Sequence, residues 1–341
     1  MADRIVELLK SNQELFDLYA RKEEYGSSSL DQYGRFLAKN SRHGSVREPR
    51  VSRFLLENGF APQYPEGRKF AVCLTHDTDL LKPESFAWLR LPKVSRRLLS
   101  KVSKKFETAW NYGRILEVEE RYDAKSTFFF MALQRGDRDF NYSIDELQSE
   151  IGMISDRGWE IGLHGGHSAC VDPVQLGREK SRIEKVLGLK VVGYRNHYVK
   201  MKIPLTWRIL RDAGFGYDST LGYAETVGFR NGMAHPFKPF DLESDETVDI
   251  LEIPLSVMDG TLYEYMGLDQ PTAWTTAKDV IDKVESCRGV LTVLWHNTYM
   301  SGPKLELYER ILGYCKDKGA WMTSGREVWK WWSSHDFLSQ R

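Results

Sequence analysis

The chain has 341 residues, of which 41% are hydrophobic, so it is long enough to bury one large core of the size common among single-domain α/β barrels. Its 48 Lys and Arg residues balance 48 Asp and Glu residues, which argues against a nucleic-acid-binding protein, and no run of about 18 apolar residues predicts a membrane span. The first residues, MADRIVELLK, lack the basic and apolar regions of a signal peptide, so we expect a cytoplasmic location.

The N-terminal part of the chain is predicted to be helical and irregular. Apolar residues recur at helical spacing over residues 3–24, and residues 51–60 resemble a short helix. Between them, residues 25–50 are rich in Ser, Gly and Arg, which is typical of an irregular segment. We interpret residues 1–65 as an N-terminal helical extension packed on a main domain that spans residues 66–335.

From Phe70 onward, strand-like and helix-like patterns alternate. Candidate strands lie at residues 70–75, 126–131, 159–163, 190–194, 215–218, 250–254 and 290–295. Helical patterns lie between several of them, at residues 143–157, 173–187, 203–213 and 274–286. Alternation of this kind predicts a parallel sheet, and about seven repeats favour a barrel over an open sheet.

The first candidate strand ends in the motif THDTD. If the two-residue period of the strand persists, Asp77 and Asp79 share one face and His76 points away. Two carboxylates this close need a cation or a proton between them in a dry site. One carboxylate that binds a metal beside one that accepts a proton would satisfy this need. The alternative is a loop with two solvated acids.

A basic segment follows this strand. Residues 82–105 hold eight Lys and Arg residues against one acid, Glu84, and part of the segment carries an apolar stripe. One interpretation is the solvated face of a helix. The other is a lid or rim that attracts an anionic substrate such as a sugar phosphate.

The strand at residues 159–163 is followed by two histidines, in the sequence HGGHS. His164 and His167 are three residues apart, and a turn at the paired glycines could bring both imidazoles to one metal ion. His164, at the strand end, is the stronger candidate. The alternative is two unrelated loop histidines.

Two further strands end in candidate site residues. Arg195 could pair with a catalytic carboxylate and hold it in place, and His197 could bind the metal or the substrate. His296 follows the apolar run GVLTVLW and could protonate a leaving group near neutral pH. The alternatives are a structural Arg in an ion pair and a histidine satisfied in the core.

Taken together, these motifs resemble the polysaccharide deacetylase family, also known as NodB-homology or carbohydrate esterase family 4 proteins. The family pattern T-F-D-D-G, H-[ST]-x-x-H, R-x-P-x-[GY] and L-x-H is similar to THDTD, HGGHS, RNHYV and LWH in this chain. STFFF at 126–130 and YDS at 217–219 add to the resemblance, which covers residues 68–330. It implies a distorted (β/α)7 barrel.

The resemblance also implies roles for single residues. Asp77 matches the catalytic base, Arg195 the arginine that orients it, and His296 the catalytic acid. Asp79 and His164 match metal ligands.

The chain departs from the family at two motifs. Ser168 stands where the family has its second metal histidine, and His167 lies one position early. We therefore expect Asp79, His164 and His167 to bind the metal, with His197 as the substitute. His197 itself stands where proline is usual.

The function that follows is a metal-dependent hydrolase, most simply a zinc enzyme, that removes an acetyl group from a sugar. The expected substrate is an N-acetylated (or O-acetylated) sugar or glycan, either in the biosynthesis of a surface polysaccharide such as O-antigen or as a nucleotide-linked or lipid-linked intermediate, whose phosphate would suit the basic segment at residues 82–105. Trp295, Tyr198 and Tyr223 are candidates for stacking on sugar rings. The alternatives are an inactive barrel that only binds carbohydrate and an amidase or deformylase with a non-sugar substrate.

Overall fold

The computed structural model describes residues 2–81 and 111–338 of the chain. The basic segment predicted at residues 82–105 lies outside these residues. None of the described helices is both long and apolar enough to cross a membrane.

The centre of the molecule is a parallel sheet of nine strands. The strands of this sheet are β1 (Phe70–Thr78), β2 (Thr127–Met131), β3 (Glu160–Gly165), β4 (Gly193–Asn196), β5 (Tyr217–Asp218), β8 (Leu251–Glu252), β9 (Val257–Met258), β10 (Val290–Leu294) and β11 (Ala320–Thr323). Eight of them lie in the order β8-β5-β4-β3-β2-β1-β10-β9, and β11 pairs with β1. A separate antiparallel pair is formed by β6 (Phe240–Asp241) and β7 (Glu246–Thr247). The predicted distorted (β/α) barrel is confirmed.

The long strand β1 explains how one sheet accommodates β11. On one side β1 pairs with β10 over residues 71–75. On its other side, residues 70–73 pair with β11, and residues 75–78 pair with β2. All nine residues of β1 are buried, as expected of a strand covered on both faces of a parallel sheet.

Helices surround the sheet, and several begin at residues that the sequence marks as helix starts. The described α-helices are α1 (Ala2–Lys10), α2 (Gln13–Tyr19), α3 (Arg50–Glu57), α4 (Tyr112–Arg121), α5 (Gln148–Asp156), α6 (Pro173–Leu187), α7 (Leu205–Asp212), α8 (Gln270–Ser286), α9 (Gly302–Asp317) and α10 (Gly325–Ser334). Asp172 caps α6, with Pro173 as its first residue, and Gly188 ends it at φ 73°. Asp269 and Ser324 cap α8 and α10 in the same way.

Glycines in the strands leave room for large rings of the neighbouring strands. A Cβ atom at Gly165 would collide with the Tyr194 ring, and one at Gly193 would collide with the Tyr217 ring. Both tyrosines are fully buried. Small residues beside large ones let the rings of neighbouring strands pack closely against the sheet.

The N-terminal helices share the core of the barrel. Ile5, Leu9 and Leu55 belong to the same hydrophobic cluster as the strands. Buried ion pairs join Glu24 to Arg21 and to Arg230. The N-terminal segment is therefore packed against the barrel, whereas a domain boundary near residue 65 stays a prediction.

A buried carboxylate connects the outer face of β1 to the surrounding helices. Glu119 of α4 is fully buried, and His76 Nε2 lies 2.8 Å from its Oε1. Three further groups donate to this carboxylate: the Tyr308 hydroxyl at 2.6 Å, the Ser126 hydroxyl at 2.8 Å and the Trp159 indole at 2.5 Å.

Replacing Glu119 should therefore destabilise the fold strongly. We expect Glu119→Ala to lower the free energy of unfolding by about 3–5 kcal/mol, because it leaves buried donors without an acceptor. The matched control is Glu120→Ala, at the next position of α4, which removes only an exposed ion pair with Arg157 and should cost about 0–1 kcal/mol. Denaturant unfolding of both variants measures the difference. Equal losses would show that the buried network does not stabilise the fold.

Candidate functional site

The carboxyl ends of the parallel strands carry the polar residues that the sequence singles out. Asp77 lies near the end of β1, and Asp79 follows the strand directly. Both line one pocket, whereas His76 points to the opposite side of β1, towards Glu119. This placement agrees with the two-residue period of the strand.

Asp79, His164 and His197 bring three metal-type ligand atoms together. His164 Nε2 lies 3.0 Å from Asp79 Oδ1 and 3.2 Å from His197 Nδ1, and His197 Nδ1 lies 3.5 Å from Asp79 Oδ1. In the part of the chain that the structure describes, this is the one group of three such residues whose ligand atoms lie within 4.8 Å of one another. The strands β1, β3 and β4 supply or directly precede its members.

His167 does not belong to this group. It lies in the turn after β3, where its Nε2 is 3.0 Å from Arg138 Nη1 and 3.2 Å from Lys200 Nζ. Partial burial and the two cations lower the pKa of His167 below its ordinary value. In this structure His197, and not the predicted His167, completes the set with Asp79 and His164, because β4 ends beside β3 and places His197 next to His164.

The three residues have the chemistry of a metal site. The Asp79 side chain is 26% exposed, yet its Oδ1 is buried and has no hydrogen-bond partner, although His164 Nε2 is only 3.0 Å away. His164 Nδ1 lies 3.1 Å from the Arg195 carbonyl, and in the neutral tautomer that donates to this carbonyl the Nε2 lone pair faces Asp79. A second-sphere bond of this kind orients metal-binding imidazoles in many proteins.

Charges within the group favour an ionised Asp79. Burial by itself opposes ionisation, but the imidazoles of His197 and His164 lower the pKa of Asp79 well below its usual range. Burial likewise opposes protonation of His164, yet Asp77 and Asp79 raise its pKa. A divalent cation would satisfy the carboxylate and both imidazole lone pairs at once, and two nitrogens with one oxygen suit zinc and several other divalent ions.

Arg195 holds Asp77 from inside the barrel. Its Nη1 lies 3.3 Å from Asp77 Oδ1 and donates to the Thr75 hydroxyl at 2.6 Å. Ser219 accepts from the other two nitrogens, through its carbonyl and its hydroxyl. The guanidinium is fully buried and lies over the Phe129 ring. Asp77 is therefore held in one orientation, with its carboxylate at the pocket.

His296 is paired with an acid that the sequence analysis did not identify. Asp259 is fully buried, and its Oδ1 lies 2.6 Å from His296 Nδ1. The same carboxylate accepts from the His296 backbone N–H. His296 Nε2 lies 3.5 Å from Asp79 Oδ2. Burial would lower the pKa of His296, but Asp259, with help from Asp79 and Asp77, raises it to about 10, so the imidazole is protonated at neutral pH.

Asp77, Asp79, His164, His197 and His296 line a single pocket of about 460 Å³. Its wall also contains Arg35, Asp139, Tyr198, Glu264, Tyr265 and Tyr299. Of the three aromatic residues that the sequence suggested for sugar stacking, Tyr198 lines the pocket. Trp295 and Tyr223 are buried and do not line it.

A larger cavity of about 740 Å³ lies elsewhere, beside the starts of β5 and β8. Trp329, Trp332 and Phe237 are part of its lining. It contains none of the predicted site residues, so cavity size alone does not mark the site in this protein.

Comparison with known proteins bears on the fold. Neither a protein-family model nor a curated protein matches the chain. Among solved structures, a protein from Mycobacterium smegmatis assigned as a polysaccharide deacetylase matches with a TM-score of 0.59 and 18% identity, over 82% of this chain and 96% of that chain. The PuuE allantoinase matches with a TM-score of 0.57 and 15% identity, over 91% of this chain and 100% of that chain. The predicted resemblance is thus confirmed at the level of the fold, and the chain has the distorted (β/α)-barrel fold of NodB-like polysaccharide deacetylases.

Proposed function

We propose that the protein is a metal-dependent hydrolase that removes an acetyl group, most simply an N-acetyl group, from a sugar. The observation that carries this proposal is the arrangement of three units in one pocket. A metal-type set (Asp79, His164 and His197) lies between a carboxylate held by arginine and a histidine kept protonated by a buried acid. Hydrolysis of an amide needs these functions together: activation of water, stabilisation of charge and protonation of the leaving amine.

Asp77 is the proposed general base. Its carboxylate lies at the pocket, and the Arg195 guanidinium 3.3 Å away holds it in position. The carboxylate takes a proton from the water that attacks the acyl carbonyl. Since Thr75 and Ser219 hold Arg195 in turn, the orientation of Asp77 is set before substrate binds.

Asp79, His164 and His197 are the proposed metal ligands. A set of three protein ligands leaves a coordination position for substrate or water, as in catalytic zinc sites. When bound, the ion supplies Lewis acidity towards the acyl carbonyl and the attacking water. The unpartnered Asp79 Oδ1 and the 3.2 Å approach of the two imidazoles support this assignment.

His296 is the proposed general acid. Asp259 accepts from Nδ1, so Nε2 is the atom that faces the pocket, 3.5 Å from Asp79 Oδ2. A protonated imidazole at this position can deliver a proton to the departing amine. This pair favours an enzyme over an inactive barrel that only binds carbohydrate, since binding alone needs no proton donor at this position.

The pocket wall supports a sugar substrate, and two cations near Tyr198 support an anionic one. Tyr198, Tyr265 and Tyr299 offer rings on which a sugar can stack. Near Tyr198, the cations of Arg138 and Lys200 converge on His167 Nε2. In the described residues Lys200 has no carboxylate partner. We therefore favour an acetylated sugar that carries a phosphate, as in a nucleotide- or lipid-linked glycan intermediate.

The test measures the metal content of the protein first and its release of acetate from N-acetylated sugars second. We expect close to one divalent ion per chain by elemental mass spectrometry after reconstitution with zinc, and acetate release from N-acetylated sugars by the loaded protein. His197→Ala should weaken zinc binding by more than the roughly 10- to 100-fold that outer-sphere changes cost. The matched control, His167→Ala, should retain zinc. If His167→Ala loses the metal and His197→Ala keeps it, the ligand assignment is wrong. A wild-type protein that binds no metal would contradict the proposed function.

A second candidate function is amide hydrolysis on a non-sugar substrate. It is favoured by the match to PuuE allantoinase, which extends over 91% of this chain and the whole of that one. The same base, metal ligands and acid would serve such a reaction. Turnover of allantoin, measured beside acetate release from N-acetylated sugars, separates the two candidates.

A further inference from the structure

The turn after His197 has a backbone conformation that its residues disfavour. Tyr198 has φ 61° and Val199 has φ 49°, both in the left-handed region. Residues other than glycine rarely adopt this region, and β-branched valine is among the least suited to it. Such a conformation persists only where the surrounding structure imposes it, and it occurs most often at functional sites.

The N-terminal segment supplies the contacts that hold this turn. Arg35 is only 6% exposed, and its Nη1 donates to the Tyr198 carbonyl at 3.2 Å and to the Tyr265 hydroxyl at 3.2 Å. The Tyr33 ring stacks on the Tyr198 ring, with centroids 4.6 Å apart and planes 26° apart. The ring centroids of Tyr198 and His197 are 3.8 Å apart.

Arg35 is itself held by a compact turn. Asp31 Oδ2 accepts from its Nε at 2.8 Å and lies 2.7 Å from its Nη2. Asp31 Oδ1 accepts from the backbone N–H groups of Tyr33 and Arg35. Because the guanidinium is paired with Asp31 and lies 4.8 Å from the centroid of the Tyr33 ring and 5.4 Å from that of the Tyr265 ring, it is a fixed support and not a free charge.

We propose that Arg35, with Tyr33, is a positioning residue of the metal site: it holds the Tyr198–Val199 turn and thereby aims His197 Nδ1 at Asp79 and His164. This inference rests on the proposed function, since it takes His197 to be a metal ligand. It means that the N-terminal segment is part of the active site and not only a cover on the barrel. A loss of its contacts should weaken metal binding without removing any ligand.

The test compares zinc affinity in variants of the full chain. The main variant is Asp31→Asn with Arg35→Gln, which removes the ion pair without leaving a buried charge unpaired. We expect its zinc dissociation constant, measured by competition with a chromogenic chelator, to rise about 10- to 100-fold. Tyr265→Phe removes a hydroxyl that also contacts Arg35 but leaves the Tyr198 carbonyl bond, and Arg42→Gln removes an exposed cation of the same segment. Both controls should bind zinc as the wild type does.

A second variant and a second measurement keep the inference testable if the double variant folds poorly. Tyr33→Leu removes the stacked ring and no charge, and it should also weaken zinc binding. In the metal-free form of both variants, hydrogen exchange in the peptide that covers residues 196–202 should be faster than in the metal-free wild type. Wild-type zinc affinity in both variants, with only KM increased, would make Arg35 a substrate contact and overturn the inference while the proposed function stands. A wild-type protein that binds no zinc would instead refute the proposed function.

Discussion

Asp77→Asn is expected to lower kcat for acetate release by about 10²- to 10⁴-fold, the usual contribution of a general base. Asparagine keeps the size of the side chain and can still accept from Arg195 Nη1, 3.3 Å from Asp77 Oδ1. It cannot take a proton from water. The loss should therefore appear in kcat, with zinc content unchanged, because Asp79, His164 and His197 remain.

The matched control is Asp139→Asn, which changes another carboxylate that lines the same pocket. Asp139 has φ 66°, a conformation that asparagine tolerates, and it does not contact Arg195. Its kcat should stay close to that of the wild type. Similar losses in the two variants would mean that the charge of the pocket, and not a specific base at Asp77, determines the rate.

The sequence predicted most of the barrel because its long strands are continuous apolar runs. All seven candidate strands overlap a strand of the observed sheet, and four of them contain one in full. The strands it missed have little signal: β9 has two residues, Val257–Met258, and β11, with the sequence AWMT, has four. A strand this short shows no period of its own. The strands β5 and β8 are as short as β9, but they lie within the longer candidate strands at residues 215–218 and 250–254.

The site could be predicted only in part, since spacing along the chain does not give direction in space. His164 and His167 are three residues apart, but the turn at Gly166 sends His167 towards Arg138 and Lys200. The position of His197 depends on the pairing of β3 with β4 and on the left-handed turn at Tyr198, neither of which a local pattern reveals.

Asp259 was missed although a signal was present. It follows the apolar residues Val257 and Met258, as Asp77 and His296 follow apolar runs, but the run is too short to stand out as a strand. Its function becomes evident from its contact with His296, which lies 37 residues further along the chain. Partners this distant in sequence meet only because β9 pairs with β10 in the sheet.

His296→Gln should lower kcat by about 10²- to 10⁴-fold, and Asp259→Asn should change the pH dependence. Asp259 is the carboxylate that contributes most to raising the pKa of His296 to about 10. A raised pKa keeps the imidazole protonated, and thus competent as an acid, up to alkaline pH. Removing the negative charge of Asp259 lowers this pKa, so the general acid is lost at a lower pH. The alkaline limb of kcat/KM should shift to lower pH in Asp259→Asn.

The control for this shift is Glu264→Gln, which removes another carboxylate that lines the pocket without contacting His296. Its pH profile should match that of the wild type. In His296→Gln, the fall in kcat/KM at alkaline pH that reports deprotonation of His296 should disappear. The remaining kcat/KM should be low and depend little on pH. If the alkaline limb of kcat/KM does not shift in Asp259→Asn, a group other than His296 protonates the leaving amine.

Because the buried acid contacts both the backbone and the ring of His296, its loss should also make the position of the His296 ring less fixed. A shift in pH together with a fall in kcat therefore distinguishes Asp259 from a carboxylate that acts through charge alone.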